Sequence, residues 1–398
     1  MRFTTTAAAS LAAAASAVSA QQIPTLADYS AEQIANGEAY ADVTDFALNE
    51  VRWNITNTPN QECQFDDAVV RKEWRSMSQR DRKSFTDATT CLMNHEPLRV
   101  TTDELRAEYP GVRSRWDEYV AMHIEMVDTV HMTADFLAWH RYFIHIVESD
   151  LRNLCGYVSL MPYWNWALDA EAPDENPMFN GDEWSLGSNG EFIPDRDSIF
   201  LGAMGITLPP GSGGGCVHTG PFSDITVNLG PVNSPNGDNV ENMQDYNPRC
   251  LNRDLNSFIT QGYLTWTNLT TVLLENTSIE DFQENIQGYG NSGNPLGIHG
   301  AGHWALGAGS PMGDFRSSPG DPVFFLHHAM IDRTWSVWQA LDIYRREGAI
   351  DGTKTLANDP PSPEMSLDDI IGFGLVAEEM RFGDLMSNYR GPFCYRYD

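Results

Sequence analysis

Asp321-Pro322-Val323-Phe324-Phe325-Leu326-His327-His328-Ala329-Met330-Ile331-Asp332-Arg333 places a histidine pair near the start of an otherwise apolar helical pattern. Pro322 suits the first helical position, where its missing N–H would have no helical partner. Upstream, His299 and His303 stand four apart, so on a helix both imidazoles leave one face, as two ligands of one ion must. With one member of the His327/His328 pair they form a candidate metal site. A second triple, His123, His131 and His140, comes earlier, its last member inside Phe136-Leu137-Ala138-Trp139-His140-Arg141-Tyr142-Phe143. Two triples predict two ions.

The flanking pattern supplies the scaffold. Trp116 to Val127 predicts a helix carrying His123, Asp128 to Thr133 an irregular link carrying His131, and Asp135 the cap of a long helix to about Leu154. On that helix Phe136, His140, Phe143, Ile144 and Val147 share a face, which puts His140 in the buried stripe. His145 lies about 140° around the same helix and reads as a packed or solvent-edge residue. Helical patterning is also expected at Val69 to Met77, Ser78 to Leu92, Leu255 to Gln261, Ser278 to Gln287 and Pro322 to about Arg345. The expected organisation is an N-terminal arm (21–66) without chemistry, followed by a single domain (67–398). Within that domain, 171–256 is a loop-rich surface excursion of Gly, Pro, Asn and Asp with at most a few short strands, and His218 on it is exposed.

With 398 residues, 41% of them hydrophobic, the chain can bury a sizeable core. A formal charge of −30 repels phosphate backbones and anionic lipid, so neither nucleic acid nor a membrane surface is an expected partner. Residues 1–20 carry Arg2 and an Ala-rich apolar run ending Val18-Ser19-Ala20, the pattern of a signal peptide cleaved before Gln21. A secreted, extracellular product follows. Six cysteines, Cys63, Cys91, Cys155, Cys216, Cys250 and Cys394, predict three disulfides among fifteen pairings, with Cys216 and Cys250 placed to staple the excursion. Asn54, Asn268 and Asn276 begin glycosylation triplets.

The Asp-Pro-x-Phe-x-x-His-His-x-x-x-Asp run and the Trp-His-Arg run, together with Arg71-Lys72-Glu73-Trp74 and Pro162-Tyr163-Trp164-Asn165-Trp166, resemble the tyrosinase, catechol oxidase and haemocyanin family of type-3 copper proteins. The likeness is to its short fungal members. It implies a mainly α fold, a four-helix bundle around a binuclear copper centre, with O2 and small phenols as reaction partners. In the family signature the ligand stands seven residues after the Asp of Asp-Pro, which selects His328. His327, about 100° around the helix, becomes a wall of the site. Asp332 is expected to orient His328 from one helical turn away.

Substrate choice is read from departures. The position of a thioether-forming Cys in fungal tyrosinases is Thr129 here, so no thioether is expected. The Asn that follows the first ligand of the second site in monophenol-hydroxylating tyrosinases is Gly300, and the Glu that works with it falls on Gln287, an amide and a poor base. Trp304 is a candidate pocket wall. These residues imply a polyphenol oxidase taking ortho-diphenols, and by extension ortho-aminophenols or methoxyphenols, to quinones. Full tyrosinase activity is the nearest alternative. An oxygen carrier of haemocyanin type shares the centre but shields it from phenols, and a zinc hydrolase is disfavoured because neither triple includes a carboxylate.

Overall fold

Ser114 opens the helix that matters first. Its hydroxyl accepts from the Asp117 backbone N–H while the Asp117 carboxylate accepts from Ser114 N, a reciprocal cap that starts Arg115–Val130. That helix stops at His131, which is extended, and Met132 is left-handed at φ 48°, so the chain turns sharply before Phe136–Asn153 begins. Asp135 precedes this second helix without capping it. Its carboxylate takes the Thr133 hydroxyl instead, and burial pushes its pKa up to about 6.

The computed structural model describes residues 22–59, 61–202, 204–289 and 294–398. The predicted signal peptide and part of the Gly288-to-Pro295 turn lie outside them. Among the described residues the helices are α1 (Ala31–Asn36), α2 (Glu38–Asn57), α3 (Gln79–Asn94), α4 (Asp103–Glu108), α5 (Arg115–Val130), α6 (Phe136–Asn153), α7 (Ser257–Tyr263), α8 (Trp266–Glu275), α9 (Ile279–Gln287), α10 (Gly297–Trp304), α11 (Val323–Leu341) and α12 (Ile343–Arg346). Strands are short and paired in twos: β1 (Val69–Arg71) runs parallel to β10 (Tyr395–Tyr397), and the excursion and C-terminal region hold four antiparallel pairs. One of these, Ile199–Leu201 with Ile206–Leu208, matters below.

α5, α6, α10 and α11 make the four-helix bundle of this mainly α protein. α11 is its axis, and every residue from Val323 to Leu341 except Ser336 is buried. A helix apolar on all sides is stable only when other elements surround it. α2 and α6 pack along it, and one continuous apolar cluster extends from Tyr40 to Tyr397.

The structure departs from the sequence reading at four places. Val69 to Met77 is not helical: β-branched Val69 and Val70 pair with β10, and only Trp74–Ser76 turns, as a 3-10 segment. Long-range pairing overrode the local pattern. The segment read as an arm or short helix across the core contains α2, longer than expected at twenty residues, whose Tyr40, Val43, Phe46, Ala47, Val51 and Ile55 are buried. α8 had no counterpart in the sequence reading. Asn276 is buried, its side-chain Nδ2 donates to the Val272 carbonyl at 2.9 Å and its own carbonyl receives the Trp338 indole at 2.6 Å. A glycan on Nδ2 is incompatible with that packing. Asn54 and Asn268 are half-buried.

The disulfides resolve to Cys63–Cys394, Cys91–Cys155 and Cys216–Cys250. The first joins the start of the core to β10, the second ties α3 to the end of α6, and the third staples the excursion. Among the described residues no helix is long and apolar enough to cross a membrane.

Candidate metal centre

His123 from the middle of α5, His131 from its end and His140 from α6 form one buried cluster. His299 and His303 from α10 with His327 and His328 from α11 form another, and within each the candidate ligand nitrogens lie within 4.8 Å of one another. The clusters abut: the His140 and His328 rings stack at 4.3 Å, and those of His131 and His299 are 5.9 Å apart. Neither cluster contains a carboxylate.

Backbone carbonyls set the tautomers. A carbonyl only accepts, so each ring nitrogen facing one must carry the proton. Nδ1 of His123 faces Arg316 O at 2.7 Å, that of His131 faces Val127 O at 3.2 Å, that of His140 faces Phe136 O at 2.7 Å, and that of His303 faces Met312 O at 3.1 Å. Each therefore presents an Nε2 lone pair to the interior. Nε2 of His123 and of His140 is buried with no hydrogen-bond partner, a costly condition unless an ion takes the lone pair.

In the second cluster Nε2 of His303 lies 3.2 Å from Nε2 of His299 and 3.3 Å from Nε2 of His328. Nitrogens at the corners of a tetrahedron about 2.0 Å from an ion are about 3.3 Å apart, so the spacing fits a metal. Burial pushes His123 down to about 4 and His303 down to about 3, despite the opposing pull of their carbonyl partners. Burial and neighbouring imidazoles hold His131, His140, His299 and His328 well below the ordinary range. All are thus neutral at neutral pH, the form that binds copper.

Nε2 of His328 faces Nε2 of His303, and its neighbour His327 lies in the same cluster. His327 is fully buried, with its ring 5.3 Å from Trp166 and 5.7 Å from His299, and neither nitrogen has a hydrogen-bond partner. Room for it comes from Gly302, where an added Cβ would sit 2.1 Å from the ring. Phe324 packs against His123, His303 and His328, with centroids 5.1, 5.8 and 4.2 Å away.

Asp332 does not orient His328, whose Nδ1 has no partner. Its carboxylate is instead the centre of a buried network: it accepts from Arg71, Arg141, Tyr395 and Tyr397. Two guanidiniums outcompete a helical neighbour for a carboxylate in a low-dielectric interior. Burial raises the Asp332 pKa, but Arg141, Arg71 and the two phenols outweigh it and leave it below the usual value. The arginine of the Trp-His-Arg run thus packs behind the centre.

A cleft of about 460 Å³ reaches the clusters. His131, His299 and His303 line it, together with Gln287, Gly300 and Trp304. The rest of the wall was missed. Phe200, Leu201 and Met204, and Asn233, Ser234, Pro235 and Asn239, belong to the excursion read as mere surface, and Phe315, 5.0 Å from the His131 ring, comes from the loop before α11. Phe200 and Leu201 sit in a three-residue strand and the others in irregular segments, all too short for periodicity to mark them.

The comparisons with known proteins agree with this geometry. The model "common central domain of tyrosinase" matches residues 113–341. Tyrosinase P of Aspergillus terreus is 38% identical over 338 residues, covering 83% of this chain and 92% of that protein. The N-acetyl-6-hydroxytryptophan oxidase of Emericella nidulans is 36% identical over 356 residues, covering 85% and 94%. The solved structure of a polyphenol oxidase variant from Thermothelomyces thermophila superposes with a TM-score of 0.84 at 35% identity, covering 92% of this chain and 99% of that one. A buried, carboxylate-free set of imidazoles in two abutting triads is the donor set such a fold uses, and the chain belongs to the tyrosinase family, with a binuclear type-3 copper centre as its cofactor.

Proposed function

We propose that the protein is a secreted, single-domain polyphenol oxidase that takes two ortho-diphenols to two ortho-quinones while reducing one O2 to two waters. Bound copper supplies the site where O2 is held and accepts electrons from the phenol. His123, His131 and His140 hold one ion; His299, His303 and His328 hold the other. The three disulfides, the −30 charge and the absence of a membrane-length helix among the described residues support an extracellular setting.

The observation that carries the diphenol reading is the chemistry of the cleft wall. Among the described residues no Asp, Glu, Lys or Arg lines it. Gln287 stands where a base would be useful, yet its Oε1 already receives the Met132 backbone N–H at 2.8 Å. The Nδ1 protons of His123, His131, His140 and His303 are committed to carbonyls, and their Nε2 atoms face the ions. The cleft thus has no side chain to deprotonate a reluctant monophenol. A diphenol is more acidic and brings both oxygens already in place. Gly300 leaves the floor open, since a Cβ there would meet only Leu296, at 3.9 Å. Trp304 and Phe315 offer ring faces on which an aromatic substrate stacks. The open cleft argues against a carrier that keeps phenols from bound O2.

Metal analysis with oxygen uptake on catechol, tyrosine and 2-aminophenol tests this. Two coppers per chain with uptake on catechol and none on tyrosine is expected. Equal uptake on tyrosine sinks the diphenol preference, reversible O2 binding without turnover favours a carrier, and zinc in place of copper ends the reading.

A further inference from the structure

The hydrogen bonds that orient the imidazoles divide into two kinds. His131 and His140 donate to carbonyls four residues earlier in their own chain segment, Val127 and Phe136, which the helices α5 and α6 hold in place. His123 and His303 come from different clusters, yet both donate to one loop, through Arg316 O and Met312 O. No helix of eight or more residues fixes those two carbonyls. Midway between them is Asp314, fully buried. One of its carboxylate oxygens accepts the Arg316 and Ser317 backbone N–H groups at 2.9 and 2.8 Å; the other accepts those of Val232 and Asn233 at 2.6 and 2.8 Å. Four backbone donors on one carboxylate fix the loop's path and lock it to the stretch that supplies Asn233, Ser234 and Pro235 to the cleft wall. A second anchor lies outside: the Arg316 guanidinium pairs with Asp128 at 2.7 Å and donates to Ile124 O on α5.

We propose that Asp314 is a positioning residue that sets one histidine of each copper triad and the adjoining substrate wall through a single loop. It rests on the dicopper reading above. Asp314 touches neither substrate nor metal; it acts through the carbonyls of Met312 and Arg316. The requirement is for a carboxylate. In Asp314→Asn, one of the two oxygens becomes an NH2 that faces two backbone donors, so two of the four bonds are lost and the group repels what it formerly held.

The test is hydrogen exchange of the histidine Nδ1–H groups, read by NMR on the full-length chain with selectively 15N-labelled histidine in its diamagnetic copper(I) form. The control is Asp254→Asn, which removes a comparable carboxylate. Asp254 accepts Gly211 and Gly213 N–H and pairs with Arg196, so its carboxylate bonds to the excursion and not to the 312–317 loop. In Asp314→Asn, exchange at His123 and His303 should accelerate on the order of tenfold, the loss of about one hydrogen bond, with His131 and His140 within about twofold of wild type. Unchanged exchange at His123 and His303, or equal acceleration at all four as in a general loosening, overturns the proposal. Copper content measured on the same wild-type sample separates the two readings. A chain without copper sinks the oxidase assignment, while the exchange comparison, which reads hydrogen bonds and not metal, remains decisive for Asp314.

Discussion

The bundle and the excursion meet at the cleft and are built by opposite means. In the bundle, five of the six candidate histidines stand on its four helices, packed around α11, and the sixth, His131, directly follows α5, with the loop carbonyls of Met312 and Arg316 trimming His303 and His123. In the excursion, Phe200, Leu201 and Asn233 to Asn239 are placed by two short strand pairs, one disulfide and single carboxylates such as Asp314 and Asp254. The first arrangement fixes which metal is held. The second, cheap to alter, fixes what is brought to it. A protein divided this way can change substrate without rebuilding its redox centre.

The sharpest way to break the comparison is at the bundle. His328→Ala should leave one copper per chain by elemental analysis and lower kcat on catechol on the order of a thousandfold, since both ions are needed to hold O2. Retention of two coppers would return His327 to the ligand set. Next comes the network behind the centre: Asp332→Ala leaves Arg141 buried without its carboxylate and Arg71 with Glu148 alone, and should cost about 3–5 kcal/mol in urea unfolding. A loss no larger than a surface substitution gives would mean that the network does not support α11.

Acid should act on the bundle before the excursion. In the copper-free protein His123 has a folded pKa of about 4 against 6.5 for the free side chain, so the unfolded state binds the proton first. Stability is complete above pH 6.5 and falls as the pH drops toward 4. At about 1.4 kcal/mol per pKa unit, His123 alone contributes about 3 kcal/mol to that loss. Copper should shift the unfolding midpoint to lower pH by competing with protons for the same nitrogens. A copper-free protein whose urea midpoint is flat from pH 7 to 5 would contradict the buried, neutral histidines. The smallest effect belongs to the excursion. Phe200→Ala, at an exposed position on the cleft rim, should raise KM for catechol a fewfold with copper content and unfolding midpoint unchanged. Copper loss in that variant would mean that the two regions are not separable.

The same division governs what could be read in advance. Spacing on helices is local, so His299 and His303 four apart, His140 in an apolar stripe and the histidine pair after Pro322 pointed to both clusters, while the four-helix bundle came from the family resemblance. Gly300 was singled out because it follows a candidate ligand in sequence and Gln287 through the family resemblance, and both line the cleft. What failed depended on partners distant along the chain. Asp332 lies one turn from His328 and looked like its partner, but Arg71 and Tyr395 were invisible from there. Val69 and Val70 needed Tyr395 to Tyr397 to become a strand. The loop carbonyls of Met312 and Arg316 carry no residue-type signal at all, since any amino acid offers a carbonyl.

The network around Asp332 also has a temporal meaning. Tyr395 and Tyr397, which bond to it from β10, lie more than sixty residues after it and leave the ribosome when both histidine clusters are already outside. A nascent chain therefore has every ligand before it has the pin that steadies the helix bearing the last of them.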